Sequence, residues 1–166
     1  MIVFVEGSDG SGKSTLIRQL SNRYSNIRIA RDVESGKMWK RLLKFSKHIG
    51  RNKVLLVDRS PLTELVYRTE DGRESKFNRS LVYKCLKSGK TIYCKTLTAY
   101  EDAMRRGEDN LCVKERHRNV QKIYDYNVMN LSINGAKILR YDWRKDSLET
   151  VINFIEGGDK DESATI

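Results

Sequence analysis

The 166-residue chain has a single proline, Pro61. Helices and strands can therefore run almost anywhere without interruption, and no proline-rich linker divides the chain. Cysteine is sparse too: Cys85, Cys94 and Cys112 are far apart. That excludes the paired-cysteine framework of a small secreted domain and any C-x-x-C metal spacing, and it suits a reducing, cytoplasmic setting. The two histidines, His48 and His117, have no neighbouring ligand at metal spacing. No apolar run approaches the ~20 residues a membrane span requires, so no membrane partner is expected. The chain opens on a strand-like Met1-Ile2-Val3-Phe4-Val5 with no basic segment before it, so no secretory leader is expected.

What the chain has in excess is positive charge. The net charge is +10 and the isoelectric point is about 9.6. Residues 157–166 hold one lysine and three acids, which leaves +12 on residues 1–156. Such a surface attracts polyanions: nucleoside triphosphates, nucleic acid or anionic surfaces. Residues 37–53 carry seven basic residues (Lys37, Lys40, Arg41, Lys44, Lys47, Arg51 and Lys53) and no acid. Most recur at three- and four-residue steps, opposite an apolar stripe of Met38, Trp39, Leu42, Leu43 and Ile49. A helix over 37–50 is expected. Its basic face is either an ordinary solvated face or a surface that tracks the phosphates of DNA or RNA.

Strand signals fall at Ile2–Val5, Val54–Val57, Thr91–Leu97 and Ala136–Tyr141, with a weaker one at Asn26–Ala30. Helical periodicity falls between them: Leu16, Ile17 and Leu20; Leu81, Val82, Cys85 and Leu86; Val120 to Leu131; and about Ser147–Ile155. Thr98 with Glu101 fits a capping box. Strands alternating with helices predict a parallel sheet covered on both faces. One domain over 1–156 is expected, with 157–166 a polar tail.

The chemistry is concentrated in Gly7-Ser8-Asp9-Gly10-Ser11-Gly12-Lys13-Ser14, which satisfies G-x-x-x-x-G-K-[ST] at every fixed position. A strand precedes it and an amphipathic helix follows, as a phosphate-binding loop requires. Its backbone amides form an anion nest at the positive end of the helix dipole. Lys13 is expected on the β and γ phosphates, Ser14 on Mg²⁺ and Thr15 at the helix start, so ATP and Mg²⁺ are the expected cofactors. A second group, Val57-Asp58-Arg59-Ser60-Pro61, ends the third strand, and ligands of parallel sheets gather at strand carboxyl ends. There Asp58 can hold Mg²⁺ or orient an acceptor hydroxyl, and Arg59 can grip a phosphate with two donors.

Together these residues resemble the thymidylate kinase and deoxynucleoside kinase branch of P-loop kinases. Glu6 to Thr15 is similar to that family's E-G-x-D-G-[AS]-G-K-[ST]-T, and Asp58-Arg59-Ser60 to its D-R-[YHS], which deoxynucleoside kinases write E-R-S. The resemblance implies a three-layer α/β/α P-loop kinase fold with a central, mostly parallel five-stranded sheet. It implies that Asp9 contacts the acceptor sugar, that Arg59 and Arg31, with Asp32 beside it, hold the acceptor phosphate, and that Tyr67 and Arg68 shape the acceptor pocket. Arg105 and Arg106 look like the arginines of a lid near 105–118, though cations at a helix C-terminus have a plainer reading. Tyr124 or Tyr126 would fall near the tyrosine of the following helix.

Two departures stand out. The stretch between the second and third strands, Arg31 to Lys53, is short for a thymidylate kinase, and Arg68 stands where that family has glutamine. The expected reaction is transfer of the ATP γ-phosphoryl group to a deoxynucleoside monophosphate. Alternatives are a polynucleotide or modified-base kinase and a deoxynucleoside kinase. A second copy of the chain as a partner is left open.

Overall fold

The computed structural model describes residues 1–31, 53–105 and 114–157. Five strands are present: β1 (Ile2–Glu6), β2 (Ile27–Ala30), β3 (Val54–Asp58), β4 (Lys90–Cys94) and β5 (Lys137–Tyr141). They form one sheet in the order β2-β3-β1-β4-β5, and every pairing is parallel. The described helices are α1 (Lys13–Arg23), α2 (Pro61–Glu70), α3 (Arg79–Leu86), α4 (Ala99–Met104), α5 (Lys114–Ile133) and α6 (Leu148–Glu156).

Alternation along the strands makes three layers. Phe4 and Val57 point to one face, where they pack with Leu62, Leu65 and Val66 of α2, Leu86 of α3 and Tyr124 and Leu131 of α5. Val3, Val5 and Leu56 point to the other, against Leu16, Ile17 and Leu20 of α1 and Val151, Ile152 and Ile155 of α6. The central strand β1 is buried at all five positions, which is why it reads as a continuous apolar run rather than an alternating one. The expected three-layer α/β/α arrangement is therefore present, with the sheet wholly parallel.

Three local details differ from the sequence expectation. The fourth strand stops at Cys94, not Leu97: Leu97 stands 82% exposed, beyond the sheet's last pairing. The Thr98–Glu101 capping box does not form. Thr98 has φ −94° and ψ 12°, not the extended backbone of a capping residue, and its hydroxyl donates to Asp102 Oδ2 at 2.8 Å. Helix α2 is additional to the expected helices. Its start is built by Ser60, whose side chain accepts from the Leu62 amide, with Pro61 in the first turn; proline needs no amide partner there and its fixed φ suits the helix.

Because all strands run the same way, every loop after a strand opens on one edge of the sheet. Among the described residues, the segments that follow β1, β3, β4 and β5 gather there together with Arg31 after β2, and the candidate site residues lie on them.

Candidate active site

The loop 7–12 turns from β1 into α1 through backbone that only glycine adopts easily. Gly10 has φ +79° and Gly12 has φ +89°. A side-chain carbon on Gly10 would lie 1.7 Å from the Ala99 carbonyl oxygen, and one on Gly12 would lie 2.5 Å from Trp143 Cδ1. The clash with the Ala99 backbone cannot be relieved and the one with Trp143 would displace its ring, so Gly10 requires glycine on conformation and on space and Gly12 on conformation. The first backbone bond of α1 runs from the Leu16 amide to the Gly12 carbonyl. Gly12 offers no side-chain cap, so the amides of Lys13, Ser14 and Thr15 point out of the helix start without an intrahelical acceptor. The Ser11 hydroxyl is buried and unpartnered among the described residues. A helix start left uncapped, an orphaned hydroxyl and a lysine fit a bound triphosphate.

Lys13 is buried, with its ammonium donating to the Ser8 carbonyl at 2.5 Å. Burial, reinforced by the charge of Arg59, pushes its pKa down, while Asp9 and Glu6 pull the other way. A cation held in such surroundings gains when a polyphosphate arrives. Ser14 and Thr15 are exposed on the first turn. Among the described residues no cluster of three or more His, Cys, Asp or Glu side chains could hold a metal by itself.

Asp9 is the hub of a cluster at the mouth of the loop. Its carboxylate accepts from Arg59 Nη2 and, at 2.9 Å, from the Tyr67 hydroxyl. His117 Nε2 lies 3.0 Å from the Asp9 carbonyl oxygen. Burial works to raise the Asp9 pKa, but Lys13, Arg59 and Tyr67 together outweigh it and hold the carboxyl below its ordinary value. Arg59 carries the only positive φ (67°) of any non-glycine among the described residues. Such backbone persists only when its surroundings over-determine it.

Those surroundings centre on Glu6, at the end of β1 and fully buried. Glu6 accepts from the Ser60 amide at 2.6 Å and from the Thr63 hydroxyl at 2.8 Å, and the Tyr124 hydroxyl lies 3.5 Å away. Tyr124 also donates to Thr63 at 3.0 Å. The Arg59 amide donates to the Val5 carbonyl at 3.2 Å. One buried carboxylate thus ties the Asp58-Arg59-Ser60 turn and α2 to β1, with α5 close by. Burial raises its pKa, opposed by its donors and by Lys13.

Asp58 lies beside Val5 in the sheet register. Its partner is Arg31 Nε at 3.9 Å, on a side chain 69% exposed. Arg68 lines the same cleft as Arg59 and Tyr67. Arg105 is not gathered into this group: its side chain is 76% exposed and pairs with Asp102 at 3.7 Å. Residues 114–118 of the expected lid form the start of α5. Arg106, Asp32 and most of the basic segment 37–53 lie outside the described residues.

Four participants carried no assigned role in the sequence reading: Glu6, Thr63, His117 and Trp143. Glu6 stood inside the Glu6–Thr15 match, so its signal was present. Trp143, in the loop after β5, packs on Gly12 beneath the Arg144 guanidinium, 4.3 Å above its ring. Arg144 in turn donates to both Asp102 oxygens at 2.9 and 3.1 Å. Nothing in sequence spacing links residue 143 to residue 12.

A wholly parallel sheet of order β2-β3-β1-β4-β5, with a glycine-rich loop entering α1, defines the fold of P-loop nucleotide kinases. Solved structures share it. Bacillus subtilis YorR, in complex with phosphorylated GDP, superposes with a TM-score of 0.64 at 18% identity, over 91% of each chain. Deoxyadenosine kinase from M. mycoides, with dCMP and a flexible dCDP bound, gives 0.62 at 19% identity, over 92% of this chain and 97% of that one. The same enzyme with bound dATP gives 0.62 at 17% identity. No family model matches the sequence, and no curated protein matches it.

Proposed function

We propose that this chain is a Mg²⁺-dependent kinase that transfers the γ-phosphoryl group of ATP to a deoxynucleotide-sized acceptor, with a deoxynucleoside monophosphate as the preferred one. The observation that carries this reading is the convergence of Lys13, Asp9, Arg59 and Tyr67 at the mouth of the glycine-rich loop. The neighbours in fold include structures with deoxynucleotides bound.

Phosphoryl transfer depends on positioning and on countering charge, with little covalent work for the protein. The uncapped amides of α1 and Lys13 hold the donor's phosphates. Lys13 exchanges the Ser8 carbonyl for phosphate oxygens when the donor enters. Ser14 and Asp58 would hold Mg²⁺, which supplies charge neutralisation between the phosphates. Asp9 and Tyr67 orient the acceptor sugar. Arg59, with Arg31 along the same edge, grips the acceptor phosphate so that its oxygen lies in line with the γ-phosphorus. The attacking oxygen forms the new P–O bond as the bond to the ADP oxygen breaks. Arg105 or Arg106 would add charge from the lid.

A second reading, a deoxynucleoside kinase, is favoured by one feature. Asp58 is held only at 3.9 Å by an exposed arginine, which leaves its carboxylate able to take a proton from a sugar hydroxyl. The test is transfer of label from γ-labelled ATP to a panel of deoxynucleosides, deoxynucleoside monophosphates, and plain and base-modified oligonucleotides. Label in diphosphates supports the first reading and label in monophosphates the second. Label only in oligonucleotides overturns both and makes the basic segment 37–53 part of the substrate site. No transfer to any acceptor overturns the kinase assignment.

A further inference from the structure

None of the roles above uses His117, a buried residue at the fourth position of α5. Its Nε2 lies 3.0 Å from the Asp9 carbonyl oxygen. A carbonyl has no proton to give, so Nε2 carries the hydrogen and donates it. Tyr100 of α4 holds the ring from the side, edge to face, with centroids 5.8 Å apart. The turn that carries His117 is pinned at two further points. Arg116 pairs with Glu70 at 2.8 Å and with Asp71 at 2.6 Å, which ties α5 to the end of α2. Lys114 lies 3.9 Å from Glu101 and 5.9 Å from the Tyr100 ring centroid, which ties it to α4.

The bond acts on one peptide of the glycine-rich loop. A trans peptide is planar, so its C=O and N–H point opposite ways. With the Asp9 oxygen held towards α5, the Gly10 N–H faces away from α5. Gly10 is buried, and its amide has no acceptor among the described residues. A buried amide without an acceptor is rare in a folded chain, and in a turn of this kind it is a group that an anion takes up. The crowding by Ala99 demands glycine at this position. Glycine adopts either sign of φ, so the Asp9–Gly10 peptide is free to turn over unless something holds its oxygen. The imidazole is what holds it.

Resting on the donor site proposed above, we infer that His117 is a positioning residue of the phosphate loop: it locks the Asp9–Gly10 peptide so that the Gly10 amide stays turned towards the donor's phosphates. It acts through the backbone of Asp9 and not on a substrate. Its seat between α4 and α5 makes the grip on a polyphosphate depend on how those two helices pack against the loop. A core histidine merely satisfied by the nearest carbonyl would leave phosphate affinity untouched.

The experiment is calorimetric binding of a non-hydrolysable ATP analogue with Mg²⁺ to the full chain and to two variants, well below every melting transition. His117→Phe keeps a ring beside Tyr100 and removes the donor. His117→Gln removes the ring and ends in an amide N–H the same number of bonds from the backbone as Nε2. His117→Phe should weaken binding roughly 3- to 12-fold, about the span of one net hydrogen bond. His117→Gln should stay within about twofold of the parent. If His117→Phe does not fold, His117→Asn replaces it; its amide is one bond short, so the same loss is expected. A purely structural role gives the opposite pattern: the ring is kept in phenylalanine and lost in glutamine, and the damage falls on melting temperature instead of affinity. A variant without the donor that binds within about twofold of the parent, or His117→Gln no tighter than that variant, would overturn the inference and leave the donor site standing. A parent chain that binds no ATP analogue would overturn both. The expected pattern without phosphoryl transfer to any acceptor would leave the inference standing and sink the kinase assignment instead.

Discussion

Glu6 offers the sharpest test of how the site is held. In Glu6→Ala the Ser60 amide and the Thr63 hydroxyl lose their acceptor inside a closed core. A buried donor left unpaired costs about 1–3 kcal/mol, so two of them cost about 4 kcal/mol. That is a large share of the roughly 5–15 kcal/mol that stabilises a domain, and it should lower Tm by roughly 8–16 °C. Glu6→Gln keeps one acceptor oxygen and should lose less than half as much. Its deficit should also depend on pH. Burial raises the Glu6 pKa above the unfolded value of 4.5, so parent stability falls as pH rises through the interval between the unfolded and folded values. Glutamine escapes that fall, and its deficit should shrink from pH 4.5 towards neutrality. The variant that folds should still pay in catalysis, because the Arg59 turn loses its anchor. A drop in kcat of tenfold or more corresponds to about 1.4 kcal/mol. Chemical denaturation at two pH values and steady-state kinetics read both effects. Glu6→Ala within about 1 kcal/mol of the parent, or destabilised with unchanged kcat, would refute the reasoning.

Further outcomes follow from the same geometry. Lys13→Ala should lower kcat roughly 100- to 1,000-fold without loss of Tm, since the residue is buried at a cost; near-normal turnover would contradict its place on the phosphates. Arg59→Ala should raise the KM of the acceptor about tenfold or more and that of ATP little, and a change confined to ATP would reverse the assignment. Asp9 titrates below its unfolded value of 3.8 in the folded chain. Its contribution is fully present above that value and is lost as pH falls through the folded pKa. Asp9→Asn should therefore flatten the acid limb of a stability–pH curve, and an unchanged limb would remove Asp9 from the charge cluster.

The layers were legible because their physics is local. β1 announces itself by Ile2-Val3-Phe4-Val5, and the glycine-rich loop by residues that can be nothing else at φ +79° and +89°. The meeting of Arg59 with Asp9 could be anticipated from the parallel sheet, which brings the ends of β1 and β3 side by side. Other features depend on distance in space. Trp143 meets Gly12 only because β5 and β1 flank β4, and His117 reaches Asp9 only because α5 crosses the loop. Helix α2 was not expected because Ser60 and Pro61 belonged to the group that ends the third strand; the same pair, serine cap and first-turn proline, also begins a helix. Thr98 and Glu101 had the right letters for a cap, but the hydroxyl found a better acceptor in Asp102.

The contact between Trp143 and Gly12 makes the chain its own optical instrument. The indole is 38% exposed, touches the residue from which α1 begins and lies under a guanidinium. Its emission is therefore set by the same few atoms that are proposed to receive a triphosphate. With Trp39 replaced by phenylalanine, the one indole left would report occupancy of the loop in real time and without a label. Donor arrival could then be timed separately from the chemistry that follows it.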